Sequence, residues 1–456
     1  MIGGKIMTKN KLRVGLITTV SGRWPRELPR KRHEEYGKWI SENMADVDLI
    51  PAEAIAVNNQ DVQAIVKQFK KEALDLVIVL IGAFTGDFPC THIAEELNVP
   101  IIMWAPREPA FDGGRIISNA LTSATMNVAA LKRLGFPYHF VYGNYDEPRV
   151  QKEVANYVKI YRVIKQMRNT YLGLIGYRPT GFYSSAFDET LIRKIFGVKI
   201  EEFDLVALFN KAKEIDDDLV KEDMDYLTNT VKFKNLPDGH LENHSRLKLA
   251  LGEFAKEQGF DAITLRCWPE LGNMKCTPCA IISRFADEGF IIGCEGDVDG
   301  TLTMLIQQYL TGDAPFMCDL IQINEEENTA LLWHCGQAAK KLKDPNSEWL
   351  MANHPLAGQG VAVESTLKPG RVTIALMTKQ GDKYKLFLTT GEALPTEKVT
   401  PGVMVNVRLD DPVLKTIYTI AEEGVPHHYS VVWADVAEEM KLLAKILNIE
   451  VIKINA

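Results

Sequence analysis

Between residues 12 and 104 the apolar positions fall in short aliphatic runs: LRVGLIT (12–18), a run near 47–51, LVIVLIG (76–82) and PIIMW (100–104). Segments of helical length and mixed polarity separate them, beginning near Leu28, over 61–73 and over 90–97. Strands that are aliphatic at every position, not at alternate ones, are buried on both faces, so the pattern predicts a parallel sheet between two layers of helices. Residues 1–170 therefore read as a flavodoxin-like, doubly wound domain. A second series of the same kind occupies 171–355: strand YLGLIG (171–176), helix 187–195, strand 198–204, helices over 205–229 and 241–258, strand FDAITLR (260–266) and helix 276–287. From about residue 356 the rhythm changes. GVAVES, RVTIALMT, YKLFLTT and VMVNVRL are β-type and joined by tight turns such as LKPGR and KQGDK, which predicts an antiparallel barrel or sandwich over 356–456. A helix at 435–447 and a short strand at 450–454 close the chain. The expected fold class is α/β: two doubly wound, flavodoxin- or Rossmann-like parallel-sheet domains and a β-rich, barrel-like C-terminal domain.

One stretch interrupts this regular pattern with charge. Residues 290–319, FIIGCEGDVDGTLTMLIQQYLTGDAPFMCD, read as an apolar strand, an acidic cluster, an amphipathic helix and a short strand that stops on an aspartate. Glu295 falls where strand 290–294 ends, the edge at which open α/β sheets bind ligands. If PFMC is the next strand of that sheet, Asp319 is lifted to the same edge. Two carboxylates that close repel unless a cation lies between them or one stays protonated, and either outcome suits proton transfer. Asp297 and Asp299 sit at the N-cap and first turn of the following helix, where acids complement its dipole. Glu325, Glu326 and Glu327 form a solvated run in a loop.

Composition narrows the function class. A chain of 456 residues exceeds one hydrophobic core. Hydrophobic residues at 46 % and charged residues at 25 % are ordinary for a globular protein, and the formal charge of −8 argues against a nucleic-acid binder. No apolar run is long enough for a membrane span, and the N-terminus carries no leader pattern, so a cytoplasmic protein is expected. The seven cysteines are expected to be reduced. Cys276-Thr-Pro-Cys279 is a CxxC with no second pair at zinc-site spacing, and neither GxGxxG nor GxxxxGK[ST] follows a predicted strand.

A metal held by two carboxylates commonly takes an imidazole too. His427-His428 in GVPHHYSVVW opens an apolar strand, and in extended chain only one of two neighbours faces a given side. At this point the pattern resembles the L-fucose and L-arabinose isomerase superfamily, most closely L-fucose isomerase-like proteins. The resemblance rests on Glu295, the segment GDVDG, the turn Leu310-Thr311-Gly312 and Phe316-Met317-Cys318-Asp319, with His428 before the closing AKILNIEVI unit.

The resemblance implies an aldose–ketose isomerase working through an enediol, with Glu295, Asp319 and His428 as ligands of a divalent metal, Mn²⁺ by its oxygen-rich set, and Glu295 and Asp319 as the proton-transferring pair. In the domain scheme, the second domain supplies the two acids and the third the histidine. It further implies substrate contacts from Arg266, Trp268 and His427, and from Arg23 in the first loop. Copies would assemble as a trimer or hexamer with shared active sites. Two departures bear on the substrate: His427 stands where L-fucose isomerases have asparagine, and Glu270 follows Trp268-Pro269.

The loop SGRWPRELPRKRH carries Arg23, Arg26, Arg30, Lys31, Arg32 and His33, a density of positive charge that suits either surface ion pairs or an anionic sugar such as sulfoquinovose. Alternatives from other classes are a non-catalytic sugar-binding protein of two α/β domains and a metal-dependent lyase or aldolase acting on a sugar.

Overall fold

The computed structural model describes residues 11–454; residues 1–10, part of the segment read above as carrying no leader, lie outside the described residues. The chain divides into two compact units with their boundary between Lys165 and Gln166.

The first unit is built on a five-stranded parallel sheet in the order Val47–Pro51, Leu12–Thr19, Leu76–Ile81, Ile101–Ala105, Tyr138–Tyr142. That 2-1-3-4-5 order is the flavodoxin arrangement. The strand Leu76–Ile81 is buried at every residue, as its unbroken aliphatic pattern requires. Helices Glu27–Asn43, Asn59–Phe69, Phe88–Leu97 and Ala120–Leu134 connect the strands. The helix Asn59–Phe69 starts on a capping box, in which Asn58 accepts from the Asp61 amide while Asp61 accepts from the Asn58 amide. Of the basic loop, Arg32 is buried and donates to the carbonyls of Gly82 (2.7 Å) and Arg107 (2.6 Å), and His33 bonds Thr18 and Ala52. Those two residues hold the fold, whereas Arg23, Arg26, Arg30 and Lys31 are exposed.

The second unit combines two sheets. Four parallel strands lie in the order Ile291–Cys294, Ala262–Leu265, Tyr171–Ile175, Lys199–Phe203. Ten further strands form a mixed sheet, and within it six strands close into a ring: Lys383–Leu394, Gly370–Gln380, His428–Val432, Phe316–Asn324, Thr329–His334 and Val403–Leu409, the last pairing back onto the first. Every neighbour in the ring is antiparallel, so the β-rich part is a barrel, filled by Phe316, Leu332, Val372, Phe387, Val405 and Val431.

This topology corrects one expectation. Phe316–Asn324 is not the next strand of the parallel sheet; it is a barrel strand between His428–Val432 and Thr329–His334. An apolar tetrad such as PFMC fits the interior of either sheet, and only long-range pairing decides between them. The helix Val298–Thr311 is also not amphipathic in use. Thirteen of its fourteen residues are buried, because it packs on both the parallel sheet and the barrel. Its polar side chains bond barrel backbone: Gln307 donates to the carbonyls of Thr373 (3.3 Å) and Ser430 (3.2 Å), and Thr303 accepts from the Met377 amide (2.8 Å).

Candidate active site

The site begins where the strand Ile291–Cys294 ends. Glu295 has φ 58° and Gly296 φ 64°, two successive left-handed residues that turn the chain sharply before the helix. Glycine adopts that conformation freely; a glutamate there costs of order 1–3 kcal/mol, and such outliers cluster at functional sites. A β-carbon on Gly296 would be driven into the Tyr177 carbonyl oxygen, so this turn must pass close to the neighbouring loop.

The turn aims the Glu295 carboxylate at two histidines. Its Oε2 lies 3.2 Å from His427 Nε2 and 3.5 Å from His428 Nε2, and the Trp268 indole N–H donates to Oε1 at 3.4 Å. Burial pushes the Glu295 pKa up, but the hydrogen bond from His427 and the charges of His428 and His334 outweigh it and leave the group below its ordinary value. The His427 imidazole is pushed down by burial and, more strongly, up by Glu295 and Asp319.

Both histidines therefore face Glu295, where alternation along an extended strand predicted only one. The strand begins at His428, and His427 is in the bend before it, so the two-residue period does not apply. They differ in burial: the His428 side chain is 2 % exposed and that of His427 42 %.

Asp297 was expected at the helix N-cap, and it is there, its Oδ1 accepting from the Gly300 amide at 3.0 Å. Its second oxygen does something the sequence did not reveal. Oδ2 lies 2.9 Å from His428 Nδ1, so this nitrogen carries the proton and donates it to the carboxylate. Burial pushes the Asp297 pKa up, yet the bond from His428 wins and the carboxylate stays ionised below its ordinary range. The consequence is positional: His428 Nε2 is turned to the Glu295 carboxylate, 3.5 Å away, so the ring stands between two carboxylates. Two acids so placed are stabilised by positive charge between them, whether a metal ion at Nε2 or a proton on it. A carboxylate bonded to the far nitrogen of an imidazole is also the arrangement that orients metal-ligating histidines.

Asp319 is brought in from the barrel. It stands directly opposite His428 on the adjacent strand and opposite Trp333 on the other side. Its Oδ1 is buried and accepts no hydrogen bond among the described residues, a state that costs about 1–3 kcal/mol or more for an ionised group unless a ligand satisfies it. Glu295, His427 and His428 offer ligand atoms within 4.8 Å of one another, a group that could hold a metal ion, and the orphaned Asp319 oxygen belongs to the strand opposite His428, outside that group.

Asp299, read as a first-turn acid, is fully enclosed: Tyr384 donates to one oxygen (2.7 Å) and the Lys379 amide to the other (3.2 Å). Burial raises its pKa to about 7, and it ties the helix to the barrel. Arg266 donates its amide to the Ile175 carbonyl and pairs its guanidinium with Glu270 at 2.8 Å, so the glutamate after Trp268-Pro269 balances the charge of that arginine. Arg23 belongs to the other unit.

Sequence reasoning missed His334. It is buried, ends the barrel strand beside the residue opposite Asp319, and stacks on His428 with ring centroids 5.8 Å apart. Burial lowers its pKa, but Cys335, Asp319 and Glu295 together push it up to about 9. The signal available was its position at the end of TALLW. Phe182 was missed too: it packs edge-on against Trp268 (5.5 Å) and His427 (5.9 Å).

The seven cysteines are all free. The CxxC does not act as a pair. Cys276 Sγ donates to the Asn243 carbonyl, while Cys279 Sγ lies 3.7 Å from Cys335 Sγ with His354 close by. His354 Nδ1 accepts from the amides of Leu356 and Ala357, so its proton is on Nε2 and it serves as a donor rather than as a metal ligand. The Cys335 thiol is accordingly held well below its usual range by the bond from Cys279, against burial, and by His334 and His354.

Comparison with known proteins identifies the family. Residues 15–168 match the family model for the fucose/sulfoquinovose isomerase N-terminal domain, and residues 188–311 the L-arabinose isomerase central domain. The sulfoquinovose isomerase of Alkalicoccus urumqiensis is 31 % identical over 364 residues, 79 % of this chain and 82 % of that protein. That of Priestia aryabhattai is 29 % identical over 93 % of this chain and 94 % of its own length. The L-arabinose isomerase of Acidothermus cellulolyticus is 24 % identical over 71 % of this chain and 68 % of its own. With family models on both α/β portions and relatives matched along most of their length, the chain belongs to the fucose and arabinose isomerase superfamily and is an aldose–ketose isomerase.

Proposed function

We propose that the protein interconverts sulfoquinovose and its ketose in a divalent-metal-dependent reaction, with Glu295, Asp319 and His428 holding the ion and Mn²⁺ the favoured metal. The observation that carries the metal reading is convergence: His427 Nε2 and His428 Nε2 lie 3.2 and 3.5 Å from the Glu295 carboxylate, His428 Nδ1 is bonded to Asp297, and the orphaned Asp319 oxygen lies across the ladder. When bound, the ion supplies Lewis-acid polarisation of the sugar carbonyl. Glu295 and Asp319 carry the proton between C2 and C1, Glu295 being held below its ordinary pKa by the imidazoles beside it and Asp319 offering a buried oxygen with no other partner among the described residues. Trp268 and Phe182 wall the sugar and exclude water, and His427, half exposed and bonded to Glu295, meets a hydroxyl. A cytoplasmic location and a trimer or hexamer in which Arg23 of a neighbouring copy completes the site belong to the same proposal.

The test is proton exchange. Metal-loaded protein in deuterated water is mixed with sulfoquinovose, 6-deoxyglucose and L-arabinose, and deuterium at C2 and ketose formation are followed by NMR. Exchange and ketose are expected with sulfoquinovose, with both lost in Glu295→Gln and Asp319→Asn and a smaller loss for His427→Ala than for His428→Ala. Absence of exchange with every aldose, after metal content is verified, would overturn the reading.

A further inference from the structure

We propose that Arg178 is the anion-recognition residue of this site, its guanidinium binding the sulfonate of a sugar whose carbonyl end lies at Glu295; this rests on the function proposed above. The placement follows from register. Cys294, Leu265 and Ile175 are aligned across three adjacent parallel strands, and each is followed by a loop at the carboxyl edge of the sheet. Glu295 is on the first of these loops, Arg266 and Trp268 on the second, and Arg178 on the third. Ligands of open α/β sheets bind along this edge. The third loop is drawn onto the site at two points: Phe182 packs on Trp268 and His427, and the Tyr177-Arg178 peptide abuts Gly296, whose added β-carbon would lie 3.1 Å from Arg178 N.

The guanidinium is uncommitted. Among the described residues Arg178 makes no hydrogen bond and no ion pair, and its Nε is buried without a partner. A buried cationic donor left in that state is costly, and an incoming anion removes the cost. Arg266, one loop away, shares the unpartnered buried Nε but already pairs its terminal nitrogen with Glu270 at 2.8 Å, so its charge is balanced where that of Arg178 is not. Two aromatic rings fix the orientation of Arg178: its Cζ lies 5.3 Å from the ring centre of Tyr177 and 5.3 Å from that of Tyr183. Held in this way, a planar fork of N–H donors matches the oxygens of a sulfonate. The Tyr183 ring is 80 % exposed, so the guanidinium is supported from the solvent side and can be reached by a ligand from there. The basic loop singled out in the sequence is the weaker candidate, since its Arg32 and His33 are spent on backbone carbonyls.

Steady-state kinetics of the metal-loaded protein and of Arg178→Met, Arg178→Lys and Arg23→Met test this with sulfoquinovose, 6-deoxyglucose and glucose 6-phosphate. Arg178→Met is expected to lower kcat/KM for sulfoquinovose by on the order of 10–100-fold, mainly through KM, with the neutral sugar changed only a few-fold. Arg178→Lys should retain part of the preference, and the phosphate ester should be poorer than the sulfonate. Equal losses on the charged and neutral sugars, or a selective loss in Arg23→Met with none in Arg178→Met, would overturn the assignment. If the wild type isomerises only neutral sugars, the proposed substrate is wrong and the arginine is judged separately. A simple alkylsulfonate that inhibits the wild type competitively, and not Arg178→Met, keeps the assignment; inhibition unchanged in the variant ends it.

Discussion

Asp297 shows how much one side chain can do when its two oxygens serve different masters. One oxygen starts a helix and the other fixes a histidine tautomer, so the residue couples a local structural rule to the chemistry of the site. The sequence made the first role legible through spacing alone: an aspartate three residues before Gly300 at the start of a helical run. The second depends on a histidine 131 residues away in the chain, and no local pattern contains it. Asp297→Ala is expected to weaken Mn²⁺ binding by about 10–100-fold, and Asp297→Asn by less, because an amide oxygen can still accept from Nδ1. Calorimetric titration of the metal-free protein measures both; equal affinities in all three proteins would remove Asp297 from the orienting role.

Elements are held to one another by groups of this kind as much as by apolar packing. The helices Asp217–Thr230, His240–Gln258 and Cys279–Asp287 meet at Arg284, which grips Asp223 with both terminal nitrogens (2.9 and 2.5 Å) and donates to His244 Nε2 at 3.3 Å. Arg284→Met should cost about 3–5 kcal/mol, since it strands a buried carboxylate. Burial and the Arg284 charge lower the His244 pKa from 6.5 to about 3. The folded value lies below the unfolded one, so the contribution is fully present above pH 6.5 and is lost as pH falls towards 3, at about 1.4 kcal/mol per unit. Urea titrations between pH 7 and pH 4.5 should show that slope, and His244→Gln should flatten it. The same scale exposes where pattern reading stops. The strands of the two parallel sheets were legible because unbroken aliphatic runs have one reading. The helix Val298–Thr311 was misread because its glutamines and threonines look solvent-facing until the barrel carbonyls they bond are known.

At the scale of the whole molecule, the candidate ligands divide between two architectures inside one compact unit: Glu295 on a parallel-sheet loop, Asp319 and His428 on barrel strands. The acids and the histidine could be picked out beforehand because chemistry-bearing residues follow apolar runs. That Asp319 faces His428 across a ladder could not, because pairing partners lie 109 positions apart (428 − 319). A cation bound across the two should stabilise the fold by about 2.7 kcal/mol at a hundredfold excess over its Kd. Calorimetry should therefore show a rise in Tm with Mn²⁺ that is absent in Asp319→Asn. The ring of six strands has a different consequence. Among the described residues, closure leaves the mixed sheet with two free margins, the two-residue strand Glu450–Val451 and the three-residue strand Lys232–Lys234, which reads Lys-Phe-Lys. Margins so short and so charged offer no template for a foreign strand. Edge-to-edge growth on the barrel sheet is thereby blocked, which leaves the margins of the two parallel sheets, such as the largely exposed strand Lys199–Phe203, as the edges a foreign strand could reach.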